Sequence, residues 1–436
     1  MTTGLTIFGL MLLLMALRVP IAAAMFIPGA LGYAWMSSDL ALLNLIKGSA
    51  VARLTVYELS VIPLFLLMGQ FATQGGLSRA LFRAAEAWVG HWRGGLAFAA
   101  ILTAAAFGSV CGSSVATCAT VTQVAYGEMK QAGYHGRLST AVLATGGTMG
   151  ILIPPSVPLI VYAILTEQNI AKLFAAAFIP GLIAIVGYLA VIAITCRLRP
   201  ELAVPGPRHG WGERWRTLVG VWPLLAIFVV VFGGIYGGLF SPTEGASVGA
   251  LATLTSGLLS SELRGEGLKR ALLGTAETTA MVFMIFLGAD MMNSALALTQ
   301  MPTHLAGWVG GLAVPPLLIV AGVLAFYVVL GCVMDELSML LLTIPVIFPT
   351  IMGLDLWGLG AEPKAIWFGI LVLMTVGIGM LAPPVGLNVY VVNGMAREVP
   401  MNEIYKGVMP FLASDVLRLL LLLFVPAISV GVLRWL

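Results

Sequence analysis

Apolar positions along the chain fall in long unbroken runs rather than alternating with polar ones. Runs able to cross a bilayer core of about 30 Å lie at 4–36, 57–75, 137–165, 172–196, 217–239, 245–261, 275–299, 364–396 and 407–433. The first continues past Arg18-Val19-Pro20, and no basic residue precedes it. It therefore reads as one long, kinked, retained helix rather than a cleaved leader. Two further regions, 94–129 and 314–352, are apolar at both ends but interrupted in the middle. The first interruption is Gly108-Ser109-Val110-Cys111-Gly112-Ser113-Ser114, the second Gly331-Cys332-Val333-Met334-Asp335-Glu336. No helix runs cheaply through such a cluster, so each region predicts a re-entrant hairpin. Its tip must be buried in protein or face water, because backbone polar groups left bare in lipid cost several kcal/mol each.

Behind each hairpin an apolar helix carries a double proline: Gly150-Ile151-Leu152-Ile153-Pro154-Pro155-Ser156 and Gly379-Met380-Leu381-Ala382-Pro383-Pro384-Val385-Gly386. The devices stand 229 residues apart, with a glycine four residues before each first proline. Proline has no N–H, so Pro154 and Pro155 strip the carbonyls of Gly150 and Ile151 of their helical partners, and Pro383 and Pro384 those of Gly379 and Met380. The preceding residue is pushed out of the helical region as well. Each helix, 137–165 and 364–396, should break near mid-membrane. Stripped carbonyls beside a hydroxyl-bearing tip form an oxygen cage for a hard monovalent cation, and the helix restarting after the break offers N–H groups to an anion. Hairpin then broken helix, occurring twice, predicts inverted repeats: 1–200 (hairpin 94–129) and 217–436 (hairpin 314–352), joined by a cytoplasmic connector at 201–216. The bland alternative, a proline kink that only shapes packing, explains one such helix better than two in matching places.

Composition agrees with a polytopic membrane protein. Sixty per cent of the 436 residues are apolar or aromatic and 9% are charged, against about 25% charged in soluble domains. A scattered net charge of +3 argues against a nucleic-acid partner. The charges also orient the chain. With a cytoplasmic N-terminus and periplasmic C-terminus, Lys and Arg in the loops outnumber those outside by three to one on the cytoplasmic side (Arg79, Arg83, Lys130 and Arg137 among them), as the positive-inside rule requires. The first hairpin then enters from the cytoplasm and the second from outside.

Enzyme chemistry finds little footing. The four histidines do not cluster, the four cysteines form no Cys-x-x-Cys pair, and no phosphate-binding loop appears. Asp335 either caps the helix after the second tip or takes part in gating or ion binding. Asp290 and Asn293 face protein or water, and Glu58 sits at the interface or in a site. Ser241-Pro242-Thr243-Glu244 reads as a capping box. Residues 77–93 read as an amphipathic arm in the cytoplasmic interface, with 262–274 as its counterpart.

The ordered blocks Phe107–Thr117, Gly133-Tyr134, Gly146–Ser156, Gly234–Gly237 with Pro242–Glu244, Gly331–Asp335 and Pro383–Asn388 resemble the large membrane subunit of tripartite ATP-independent periplasmic (TRAP) transporters over nearly the whole chain. The resemblance implies an elevator-type fold of the ion-transporter superfamily in the bacterial inner membrane, with sodium as coupling ion and no other cofactor. It implies three partners besides the lipid bilayer: a small four-helix membrane subunit, separate here because nothing precedes the first helix; a periplasmic substrate-binding protein; and an organic acid, such as a C4-dicarboxylate or sialic acid. Carried over, the first sodium and substrate site involves Gly112, Ser113, Ser114, Gly147, Gly150, Pro154, Pro155 and Ser156. The second involves Gly331, Met334, Asp335, Gly379, Ala382, Pro383, Pro384, Gly386 and Asn388. Sodium itself falls to Ser113, Gly147, Gly150, Gly331 and Gly379. Ala382 and Gly377 depart from the threonine and acidic residue frequent in relatives. The alternatives are a stand-alone sodium–dicarboxylate symporter and, more remotely, a membrane enzyme or scaffold without a transport cycle.

Overall fold

The computed structural model describes residues 2–260, 263–301, 303–304, 307, 311 and 314–435, and no strand occurs among them. The first half comprises α1 (Thr2–Ala16), α2 (Ile21–Met36), α3 (Asp39–Leu54), α4 (Val61–Gln74), α5 (Leu77–Val89), α6 (Gly95–Cys111), α7 (Ser114–Gln131), α8 (Gly136–Gly147), α9 (Met149–Leu152), α10 (Val157–Thr166) and α11 (Ile170–Leu198). The second comprises α12 (Trp211–Tyr236), α13 (Pro242–Leu259), α14 (Glu266–Leu298), α15 (Pro316–Gly331), α16 (Glu336–Met352), α17 (Ala361–Gly379), α18 (Leu387–Met395), α19 (Met401–Phe424) and α20 (Ala427–Val430). Among the described residues six helices are long and apolar enough to cross a bilayer, and α3 with the helical stretch Tyr57–Gln74 forms an apolar pair bent by 59°. Long apolar runs become helices because a helix satisfies its own backbone groups without help from a neighbour.

Both interrupted regions form helix–turn–helix units, α6–α7 and α15–α16, with their turns where the sequence placed them. The proline pairs end one helix and start the next: α9 gives way to α10, and α17 to α18. These elements hold the most deeply buried part of the chain; α8, α9 and the body of α17 are buried along nearly their whole length. Around them α2 packs along α14, and α4 against α13 and α14. The arm α5 buries Leu81, Phe82, Ala84 and Ala87 and exposes Arg79 and Arg83, as its pattern predicts. Ser241 and Glu244 close the expected capping box at the start of α13.

Four expectations give way. Residues 4–36 are two helices, not one. Pro20 disfavours the helical conformation at Val19, and Arg18 turns the chain at φ 63°. Ile7 of α1 then lies against Gly32 of α2, so the helices are antiparallel. The start of α1 sits beside Thr299 and Met301, at the end of α14 that the sequence reading assigned to the outside. With two antiparallel helices, 4–36 no longer carries the N-terminus to the side opposite the start of α3 by a single crossing. Second, 39–54 is helix α3 rather than a loop. Ser38 caps it by accepting the Ala41 N–H at 3.2 Å. Arg53 forms a two-pronged ion pair with Asp290 of α14, its Nε donating at 2.6 Å. That pair gives Asp290 its role: it ties α3 to α14. Third, of the arm expected at 262–274, residue 262 lies outside the described residues and 266–274 opens the continuous 33-residue α14, so that stretch forms no separate arm. Fourth, the last run stops at Phe424, before Pro426, and short turns follow.

Candidate ion and substrate site at two helix breaks

At the first break α9 ends at Leu152, Ile153 is extended, and the Pro154–Pro155 peptide is cis. Ser156 caps α10 and donates its hydroxyl to the Ile151 carbonyl at 2.8 Å. The expectation that Pro155 leaves this carbonyl open is therefore corrected: the hydroxyl replaces the missing N–H. The tip of the first hairpin docks directly on the break. Val157 N–H donates to the Gly112 carbonyl at 3.2 Å. A Cβ on Gly150 would stand 2.5 Å from the Ser113 carbonyl oxygen and 2.6 Å from Thr117 Oγ1. One on Gly147 would stand 2.7 Å from Asn388 Nδ2. Glycine is required at both positions because oxygens and an amide occupy the side-chain space.

The second break repeats these relations. The Pro383–Pro384 peptide is cis. Met380, whose carbonyl Pro384 strips, receives the Asn388 N–H at 3.2 Å, a second correction to the open cage. The Gly379 carbonyl receives Ala382 N–H at 3.2 Å. Gly386, at φ 62°, donates its N–H to the Cys332 carbonyl of the tip at 3.3 Å. Gly379 meets Gly331 backbone to backbone: a Cβ on Gly379 would stand 2.6 Å from the Gly331 Cα. The two breaks differ in exposure. Pro154, Pro155 and Ser156 are buried, whereas Pro383 and Pro384 are exposed.

Between the tips lies a junction that the sequence reading only partly anticipated. Asp335 is the N-cap of α16, accepting from Leu337 N–H at 3.2 Å, Ser338 N–H at 3.3 Å and the Ser338 hydroxyl. Its carboxylate thus caps its own helix. Met334 is buried in the core. The side chain that reaches the other hairpin is the next one, Glu336, which is 4% exposed. Its Oε1 accepts from the Ser113 hydroxyl at 3.2 Å and Ser114 N–H at 3.3 Å. One step along a helix turns a side chain by about 100°, and this offset points Glu336 at the first tip while Asp335 caps. Asn388 crosses in the opposite sense, from α18 to the first hairpin and break. Its Nδ2 donates to Ser114 Oγ at 2.8 Å and to the Ala144 carbonyl at 3.2 Å. So Ser114, predicted as one member of the first set, is held by two residues of the second half. Asn388→Ala should strand the buried Ser114 hydroxyl and Ala144 carbonyl at a cost of roughly 1–3 kcal/mol. A thermal-unfolding series in detergent should show the loss, with Asn388→Gln intermediate.

A second polar chain escaped the sequence reading. Thr148, between Gly147 and Gly150, meets the Tyr188 hydroxyl of α11 at 3.0 Å. Tyr188 in turn donates to Asp415 Oδ2 at 2.9 Å. Asp415 pairs with Arg418 at 2.8 Å within α19, and both are almost wholly buried. Nothing in a single sequence shows that α11 and α19 adjoin the first break. Glu58 is exposed in the short turn before α4, outside either site. At the far end of α7, Lys130 and Tyr126 both donate to Glu398, in the loop after α18. The bond from Lys130 is the main cause holding that carboxyl down at about 2.

Comparison with known proteins adds four findings. The family model for the DctM component of tripartite ATP-independent periplasmic transporters matches residues 8–428. The C4-dicarboxylate TRAP transporter large permease protein DctM of Pseudomonas aeruginosa is 35% identical over 382 residues, covering 87% of each chain. The sialic acid TRAP transporter large permease protein SiaM of Vibrio cholerae is 29% identical over 357 residues, covering 82% of this chain and 81% of the relative. Among solved structures, the YdaH transporter of Alcanivorax borkumensis superposes with a TM-score of 0.62 at 17% identity, covering 89% of each chain. That likeness bears on the fold alone.

Proposed function

We propose, from the premise that this chain belongs to the DctM-component family of tripartite ATP-independent periplasmic transporters, that it is the sodium-coupled large permease subunit of an organic-acid importer. The relatives are permease subunits rather than enzymes, and the family implies a periplasmic binding protein and a small membrane subunit as partners. The match over nearly the whole chain favours this reading over a stand-alone symporter. The two relatives named take different cargo, a C4-dicarboxylate and sialic acid. Both are carboxylates, so the substrate class proposed at this point is an organic acid.

One observation carries the mechanism. Each hairpin tip gives a carbonyl to an N–H just beyond a proline pair, and the breaks press Gly150 and Gly379 against the tips. We read this repetition as an inverted repeat, its halves at 1–200 and 217–436. Sodium binds at each tip and break, through Ser113, Gly147 and Gly150 in one and Gly331 and Gly379 in the other. The substrate lies between the tips. Hairpins and broken helices move together against the frame of α2, α4, α12, α13 and α14, in the manner of an elevator. The arm α5 with Arg79 and Arg83, and the helix ends carrying Lys130 and Arg137, face the cytoplasm of an inner membrane; the N-terminus, turned back by Arg18, lies on the periplasmic side.

The test is uptake into proteoliposomes containing this chain, its small membrane subunit and its binding protein loaded with ligand. An inward sodium gradient should drive accumulation, and replacing sodium with potassium should lower the initial rate at least tenfold. Equal rates in the two salts would refute the coupling.

A further inference from the structure

We propose that Glu336 is the counter-charge for a cationic centre on the transported molecule. The substrate is then a zwitterionic organic acid, carrying an ammonium or amidinium group as well as its carboxylate, rather than a dianion. This rests on the reading above that places the substrate between the two tips.

Four observations at the junction support it. Glu336 is 96% buried in relative terms, its exposure being 4%. Only Oε1 has partners; Oε2 has none. Its neighbour in the chain, Asp335, carries the same sign of charge. A buried carboxylate with no cation beside it is costly, and the cost is removed when a positive group arrives. Second, the donors that an incoming carboxylate would use at the start of α7, Ser113 Oγ and Ser114 N–H, are already given to Glu336. The protein's own carboxylate occupies that place. Third, Asn388, which contacts Ser114, and Thr117, one turn along α7, each leave a buried oxygen without a partner; the amide oxygen only accepts, and the hydroxyl accepts as well as donates. The junction therefore offers acceptors and a negative charge, which select a cation and repel a second carboxylate. Fourth, the second tip and break are open where the first are closed: Val333, Pro383 and Pro384 are exposed while Pro154 and Pro155 are buried.

The same positive charge could instead come from a coupling metal ion, and the experiment separates the two sources. The binding protein that serves this chain is screened by thermal shift against matched acids: succinate and glutarate beside β-alanine and 4-aminobutyrate, extended to larger dicarboxylates and to amino, imino and amidine acids. The expected ligands are zwitterions. A dicarboxylate that binds and is taken up by the wild-type complex overturns the proposal. With the zwitterion found, sodium-driven uptake is measured for Glu336→Gln and Glu336→Asp at equal protein level and with monodisperse complexes. Glu336→Gln should raise KM for the zwitterion at least tenfold and leave half-saturation by sodium unchanged, with Glu336→Asp between. If Glu336→Gln shifts sodium half-saturation and leaves KM alone, the carboxylate serves the ion, and the substrate assignment is wrong. Failure of sodium to drive the wild-type complex is a separate result. It counts against the earlier reading, whatever Glu336 does.

Discussion

Alanine at Gly379 is expected to abolish uptake, although it adds a single methyl group. That methyl would stand 2.6 Å from the Gly331 Cα, 2.7 Å from its carbonyl carbon and 2.9 Å from the Val328 carbonyl oxygen. All three are backbone atoms, so no side-chain rotation relieves the clash; hairpin and broken helix must separate. Overpacking a close-fitted interior costs about 1–3 kcal/mol even where side chains can move. Here the strain falls on the hydrogen bond from Gly386 to Cys332 that docks the second tip. Uptake should drop at least fiftyfold at matched membrane expression. Gly331→Ala should do less, because its nearest backbone neighbour, the Gly379 Cα, is 3.1 Å from the new carbon. Gly322→Ala supplies the control. It lies on α15 with Gly331, with open space around it, and alanine in a helix is favoured over glycine by about 1 kcal/mol. Transport by Gly379→Ala at the level of Gly322→Ala would show that the tip does not work through this docking.

Both breaks were legible in the sequence because proline acts locally: it removes its own N–H whatever surrounds it. Hairpin turns were legible for a similar reason, since glycine, serine and aspartate clusters inside apolar runs interrupt a helix without tertiary help. The fate of the stripped carbonyls was not legible. Ser156 and Asn388 reclaim them, and the geometry that allows this forms only once the chain has folded around the prolines. Asp335 and Glu336 show the same limit at finer grain. Two adjacent carboxylates look equivalent in a sequence, yet the start of α16 turns one onto its own N–H groups and the other onto the opposite hairpin. The single crossing assigned to 4–36 failed for a different reason. Hydropathy measures how long a run is, and cannot tell one kinked helix from two packed side by side; the turn at Arg18 and the contact of Ile7 with Gly32 decide it.

Breaking the pair between Asp415 and Arg418 should cost the chain more stability than any other single charge change. Both side chains are almost fully buried, 2.8 Å apart. Arg418 Nε and Nη1 have no hydrogen-bond partner, and its guanidinium stacks 5.6 Å from the centre of the Tyr188 ring. Removing one member of a buried pair leaves an uncompensated charge, at about 3–5 kcal/mol, whereas replacing both by apolar side chains of similar volume is often neutral. Arg418→Met should therefore unfold at markedly lower temperature in detergent, followed by tryptophan fluorescence. Asp415→Leu combined with Arg418→Met should recover most of the loss. The double variant also separates stability from function. Asp415 anchors the Tyr188 hydroxyl, which meets Thr148 between Gly147 and Gly150, so the recovered protein should still take up substrate with a raised half-saturation for sodium. If the double variant regains both stability and wild-type sodium dependence, the chain from α19 to the first break only fills space. If it regains stability alone, those side chains hold Thr148 where the cation site needs it.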